Sequence, residues 1–462
     1  MMHPDREKEP APSSTPPAVV GVLVIGRKRP GFDQQWSETM RRRSLAALGA
    51  VGCEVVGAEA PVVDDKTIVR ALDNIRHRAC RALIVLQPSL GHGQLAMTII
   101  QRWGGPVVLW ATPERPDGEN VSSCSLVAQH LWAATLRQAK HPFEIVYGDP
   151  DDAAVRRSLA QAIALSQTVI LLGQSKVGLI GSQAPGYISM HVDPFAMSRQ
   201  LGLQLHDLSL PLFIDRVRGV AEGEVREDVE RARALSLPMA NTEPGDLPIQ
   251  SRYYLALREL IHEEQLDALA VQEWPELPNV LGQWPYLAMS RLVDEGFPIS
   301  MEGDADAAVA MLAANHLGMG NGFVTDWLEH DEQTVHFWHP GTAPLGMIDG
   351  PSLAGHFNIN KPMVVDGSLR VDQPVTVARI WRRDDRYVAT AFEGRTIPLR
   401  RKLSGNQCLM QVDGGGVGRW FDTLCHAGMP HHPILFIGHH REAFRRLARM
   451  LKIDWLAKEA AV

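Results

Sequence analysis

The chain has 462 residues, 45% hydrophobic and 21% charged, which excludes a mainly disordered polypeptide and leaves room for two or three domains. Its 46 Lys and Arg against 53 Asp and Glu give a net charge of −7, which argues against a nucleic-acid partner held through its phosphates. The five cysteines, Cys53, Cys80, Cys124, Cys408 and Cys425, form no CxxC pair and suit a reducing compartment better than a disulfide framework or a cysteine zinc site.

In chain order, the Pro- and Ser-rich segment 1–18 is expected to be a disordered leader, with charges and prolines where a signal peptide has an apolar core. The longest apolar runs, such as 19–25 and 82–86, are of strand length, far short of the ~20 residues a bilayer span needs. No membrane association and a cytoplasmic location are therefore expected. From residue 19 to about 150, VVGVLVIG, CEVVG, RALIVLQ and PVVLWA read as buried strands. Amphipathic stretches such as TIVRALDNIRHRAC and LAMTIIQRW lie between them. That alternation predicts a parallel sheet with helices on both faces.

A second alternating unit is expected over 151–330. Its clearest elements are the helix DDAAVRRSLAQAIALSQTVIL, the strands KVGLIG, LQLHDL, LDALAVQ and FPISM, and the helix DADAAVAMLAANHL. From 331 to 462 the pattern changes to short Thr-, Val-, Tyr- and Phe-rich segments between Gly, Pro and Asp, among them VTVARIW, DRYVATAFEG and GNQCLMQVDGG. These predict an antiparallel β domain, sandwich or barrel, closed by the helix REAFRRLARML.

Three sets of residues carry candidate chemistry. FPISMEGD puts Glu302 at the carboxyl end of a buried strand and before a helix, where open α/β sheets bind ligands. The plainer alternative is that Glu302, Asp304 and Asp306 are helix-start acids. Asp326 follows 24 residues later, after one intervening helix, and a return to the same sheet edge would bring two carboxylates together. Nine of the eighteen histidines then fall between His330 and His440, densest in HAGMPHHPILFIGHH. Two carboxylates with an imidazole describe a site for a hard-to-borderline divalent ion such as Mn²⁺. No GxSxG occurs, and GQSKVGLIG has neither dinucleotide nor P-loop spacing.

In this order ISMEGDADAAVAML, FVTDW, FWHPGTAPLG and GMPHHPILFIGHH, supported by RPGFD, LWATPE and QEWPELPN, the chain resembles the L-fucose isomerase and L-arabinose isomerase superfamily. The resemblance runs from about residue 19 to 455. It implies two Rossmann-like parallel α/β domains followed by a C-terminal β-barrel-like domain, in agreement with the change of pattern. It also implies aldose–ketose isomerisation of an open-chain sugar through a cis-enediol, with Mn²⁺ or another divalent ion as cofactor. Glu302 and Asp326 match the carboxylates that bind metal and move protons, and His432 matches the imidazole ligand. A further histidine of the arabinose-isomerase branch corresponds to His336 or His339. Arg29, Trp110, Gln272 and His339 fall in segments that hold the sugar. Relatives often carry cysteine where His339–Pro340 and Glu273 stand here. The resemblance further implies a trimer or hexamer. Two other readings compete: a sugar-binding sensor without catalysis, and a metal-dependent epimerase or lyase of a modified sugar.

Overall fold

The apolar runs of the first third become the central strands of one sheet. The computed structural model describes residues 18–27 and 31–458. The leader expected over 1–18 lies outside the described residues apart from Ala18, which opens the first strand. Two compact units divide between Ser166 and Gln167.

In the first unit five parallel strands lie in the order Cys53–Val56, Ala18–Val24, Leu83–Gln87, Val107–Ala111 and Phe143–Tyr147. The order reverses beside the first strand, as in doubly wound sheets. Leu83–Gln87 and Val107–Ala111 are buried at every position, which explains why they read as unbroken apolar runs. The helices begin where polar caps stand: Asp33 accepts the Trp36 N–H, and Asp64 forms a capping box with Thr67. Val20, Val22, Ile84, Leu86, Val108 and Trp110 fill one side of this core.

The second unit holds a four-stranded parallel sheet in the order Ile299–Ser300, Ala268–Val271, Lys176–Ile180 and Gln204–Leu208. It also holds an eleven-stranded sheet built largely from the C-terminal residues. That larger sheet is mixed, which corrects the antiparallel expectation. Met239–Ala240 joins it parallel to Ile348–Gly355, and Pro362–Leu369 runs parallel to Asn406–Val412. Asp454–Leu456 returns after the helix Arg441–Leu451 and pairs parallel with Arg386–Ile397. A strand re-entering after a helical or long connection has no hairpin turn to force it antiparallel.

The helix Glu222–Ala234 escapes sequence notice because charges surround its few apolar positions. Its Val225, Val229 and Ala232 nevertheless share a core with Leu287, Phe337, Val365, Phe392 and Trp420. Segments 167–330 and 331–458 thus pack on common ground. Among the described residues no helix is long and apolar enough to cross a membrane.

Asp228 fastens that helix. It is fully buried and accepts two hydrogen bonds from Arg291, at 2.7 and 2.8 Å. The Arg291 guanidinium also lies 3.6 Å from the Tyr254 ring centroid. Removing one member of a buried ion pair leaves the other charge without compensation, at about 3–5 kcal/mol. Asp228→Ala is therefore expected to lower unfolding stability by that amount, read as a reduced urea midpoint.

Candidate active site

Two neighbouring parallel strands set the site. Ala268–Val271 is followed directly by Gln272 and Glu273, and Ile299–Ser300 by Met301 and Glu302. Their carboxyl ends form the edge where open α/β sheets bind ligands. Glu302 has φ 56° and Gly303 φ 69°, so the chain turns through two left-handed residues. A Cβ at Gly303 would sit 2.0 Å from the Ser182 carbonyl oxygen, which restricts that position to glycine. A non-glycine residue in this region costs on the order of 1–3 kcal/mol, and its surroundings must hold it there. Here the Glu302 N–H donates to Glu273 Oε2 at 2.7 Å, and its carbonyl accepts the Ala184 N–H at 2.9 Å.

So held, the Glu302 carboxylate faces three imidazoles. His339 Nε2 is 3.7 Å from Oε1; His432 Nε2 and His431 Nε2 are 3.4 and 3.6 Å from Oε2. Asp326 Oδ1 is 3.9 Å from His432 Nε2. Asp326 does not return to the parallel sheet. It opens the strand Asp326–His330 of the mixed sheet, opposite Trp338 of the strand Thr334–His339. The hairpin thereby puts Asp326 and His339 at the same end. His432 arrives just before the strand Ile434–Ile437.

Asp304 orients His432. Its Oδ2 accepts the His432 Nδ1–H at 3.0 Å, and both its oxygens accept from Arg379 at 2.8 Å. Arg379 also donates to the His432 carbonyl at 3.0 Å. All three side chains are fully buried. With Nδ1 donating, Nε2 is the nitrogen turned toward Glu302 and Asp326.

The electrostatics match this geometry. Burial opposes ionisation of Glu302, but the three imidazoles outweigh it and hold the carboxyl far below the usual range. Burial likewise opposes charge on His432, yet Asp304 and Glu302 push its pKa up to about 10. His339 is raised too, through Glu302 and Asp326 against burial. Glu273 is displaced the other way: full burial and the Glu302 charge lift it well above ordinary carboxylates, and its Oε1 accepts the Tyr286 hydroxyl at 3.1 Å.

Glu302 Oε2, Asp326 Oδ1 and His432 Nε2 are buried and have no hydrogen-bond partner. Native proteins rarely leave such atoms unsatisfied without a functional reason. Ligand atoms of Glu302, His339 and His432 lie within 4.8 Å of one another, as do those of Asp326, His431 and His432. Converging carboxylate oxygens and imidazole nitrogens fit a divalent cation. They open on a cavity of about 180 Å³ lined by aromatic residues, including Tyr187, Trp274, Trp284, Tyr286 and Trp338.

Comparison with known proteins bears on what such a site does. A model of the fucose/sulfoquinovose isomerase N-terminal domain matches residues 21–125. The sulfoquinovose isomerases of Priestia aryabhattai and Priestia megaterium are each 25% identical over 438 residues, 94% of this chain and 97% of theirs. That of Alkalicoccus urumqiensis is 24% identical over 330 residues, 70% of this chain and 74% of its own. The L-arabinose isomerase of Thermotoga neapolitana is 26% identical over 194 residues, 41% of this chain and 39% of its own. These matches support a place for the chain in the fucose/sulfoquinovose isomerase superfamily.

The expected residues are distributed as follows. Glu302, Asp326, His339 and His432 come together. His336 faces elsewhere, between Glu329 Oε1 at 3.2 Å and Gln407 Oε1 at 3.3 Å. Gln272 braces the loop after Lys176–Ile180, its Oε1 accepting the Ser182 N–H at 2.7 Å and its amide donating to Glu276 at 3.0 Å. Trp110 is fully enclosed in the core of the first unit. Arg29 lies outside the described residues. Sequence inspection passed over Arg379, Glu273 as a brace for Glu302, and Tyr187, whose ring lies 4.9 Å from that of His431. Arg379 did leave a signal: it is the one charge inside the apolar run VTVARIW.

A proton on His432 Nε2 occupies the ground a cation would take, so the two compete. Mn²⁺ affinity is expected to climb with pH between 6 and 8, by about tenfold per unit for each proton displaced. Glu302→Gln, Asp326→Asn and His432→Ala are each expected to lose bound Mn²⁺. Calorimetric titration of the metal-free protein and its variants reads both effects.

Proposed function

We propose that this protein is a divalent-metal-dependent aldose–ketose isomerase acting on an open-chain sugar, with Mn²⁺ as the ion. Similarity to sulfoquinovose isomerases over most of the chain supports a sugar isomerase, an intramolecular oxidoreductase. The metal dependence rests on one observation: three unsatisfied buried atoms, two carboxylate oxygens and one imidazole nitrogen, turned toward one another beside an aromatic cavity. The relatives matched over nearly their whole length are sulfoquinovose isomerases, which supports an aldose substrate.

Glu302, Asp326 and His432 would hold the ion, with His339 beside them. When bound, it supplies Lewis acidity that stabilises negative charge on the sugar oxygens. The rest falls to the chain. Glu302 and Asp326 are the proton-moving groups: one carboxylate takes the proton from C2, and a proton is delivered to C1 to complete the ketose. Glu302 and Asp326 both line the cavity, and proximity removes most of the entropic cost of transfer. Asp304 fixes the tautomer and direction of His432. Aromatic side chains, among them Tyr187, Trp274 and Trp338, wall the cavity beside these groups.

Turnover in D₂O tests the proton-transfer route. Ketose formed from the aldose is expected to carry deuterium at C1; a hydride shift would leave C1 without it. At saturating Mn²⁺ with occupancy measured, Glu302→Gln and Asp326→Asn are each expected to lose at least ~10²-fold in kcat. Full metal content with near-normal turnover in both variants would refute these roles.

We also propose assembly into a trimer or hexamer, as the superfamily resemblance implies. Light scattering on the active protein should give a mass that is a multiple of three chains; an active monomer would exclude it.

A further inference from the structure

One buried imidazole of the cavity takes no part in the chemistry above. His356 follows the strand Ile348–Gly355, is 6% exposed, and lines the same cavity as Glu302, Asp326 and His339. Its ring stacks on Trp284, with centroids 4.2 Å apart and planes at 17°. Trp284 stacks in turn on Trp274 at 5.6 Å and on Tyr286 at 5.4 Å. Phe357 packs against the imidazole at 4.6 Å. The ring is therefore held in plane by its stack on Trp284, which is itself buried.

Its tautomer is fixed as well. The Asn358 backbone N–H donates to His356 Nδ1 at 3.4 Å, so Nδ1 is the acceptor and the proton of the neutral ring sits on Nε2. Burial, with His339 nearby, lowers the His356 pKa to about 4, so the ring is neutral under ordinary conditions. In contrast to Nδ1, Nε2–H meets no protein acceptor among the described residues. A donor with no protein partner, on a stacked ring that lines the cavity beside the acid–base groups, is placed to meet an acceptor on the ligand.

We propose that His356 is a substrate-binding residue whose Nε2–H donates to a hydroxyl oxygen of the sugar's carbon chain. The proposal rests on the isomerase reading above and adds to it how the cavity selects its substrate. A neutral donor distinguishes a hydroxyl from a hydrogen at the same carbon, because a sugar lacking that hydroxyl leaves the donor unpaired. It gives no ion pair, so it serves a hydroxyl and is not a clamp for a sulfonate or phosphate. The stacked rings beside it offer an apolar wall for the C–H side of the sugar.

Equilibrium binding of sulfoquinovose and of L-arabinose to the Mn²⁺-loaded protein, with turnover measured in parallel, tests this. His356→Phe keeps a flat ring for the stack and removes the donor; His356→Gln keeps an N–H donor. For whichever sugar the wild type binds more tightly, Kd is expected to rise about tenfold in His356→Phe, the loss of one hydrogen bond. His356→Gln should recover most of that loss, and KM should change more than kcat. Unchanged Kd in His356→Phe would overturn the proposal, as would equal losses in both variants, since shape and not the donor would then decide. Wild-type protein that binds a sugar without isomerising it would defeat the isomerase reading while leaving the His356 comparison decisive. If neither sugar binds the wild-type protein, the His356 proposal is overturned as well.

Discussion

The four hydrogen bonds to the Asp304 side chain are the contact on which the site depends. The Asp304 carboxylate caps the helix Ala305–His316 by accepting the Ala307 N–H at 2.9 Å, takes both ends of the Arg379 guanidinium, and receives the His432 Nδ1–H. Helix start, strand Pro374–Arg383 and the loop before Ile434–Ile437 therefore meet at one buried carboxylate. Burial alone would favour its neutral form, but Arg379 and His432 hold it well below the usual carboxylate range. Such a pair stabilises little against an apolar substitute, and its loss leaves stranded charge. What it provides is direction: it fixes which imidazole nitrogen faces Glu302.

The fold was legible where burial leaves an unbroken apolar run. The central strands of the first sheet and the helix Ala305–His316, buried all round over 305–314, announced themselves in this way, whereas the half-exposed edge strand Phe143–Tyr147 did not. Helix Glu222–Ala234 did not, because a half-buried helix rich in Glu and Arg resembles a solvated segment. The parallel pairings of the C-terminal sheet were hidden for another reason. Strand direction depends on where a chain re-enters, and side-chain alternation does not report it. Within the site, Glu302, Asp326 and His432 stood out by residue type and order. The Asp304–Arg379 contact spans 75 residues, and the sequence offered only an arginine in an apolar strand as its trace. Reading Asp304 as a helix-start acid captured one of its hydrogen bonds and missed the other three.

Glu273 and Glu302 show how one sheet edge holds two carboxyls in opposite states. The first is enclosed beside Tyr286 and favours its proton; the second faces imidazoles and gives its proton up. Neighbouring acids with divergent environments are a common mark of acid–base sites. The backbone N–H of Glu302 ties them together, so the left-handed turn that aims Glu302 is braced by a group the sequence would place in an ordinary strand end.

The hairpin carrying His336 and His339 has a consequence for evolution. Three positions apart on one strand, the two imidazoles fall on opposite faces, and only His339 reaches the carboxylates. Losing or gaining a single amino acid in the tight bend at 331–333 would shift the strand by one step and turn His339 away. Changes of length there are thus constrained to preserve parity: an even number of residues keeps His339 on its face of the strand and an odd number does not.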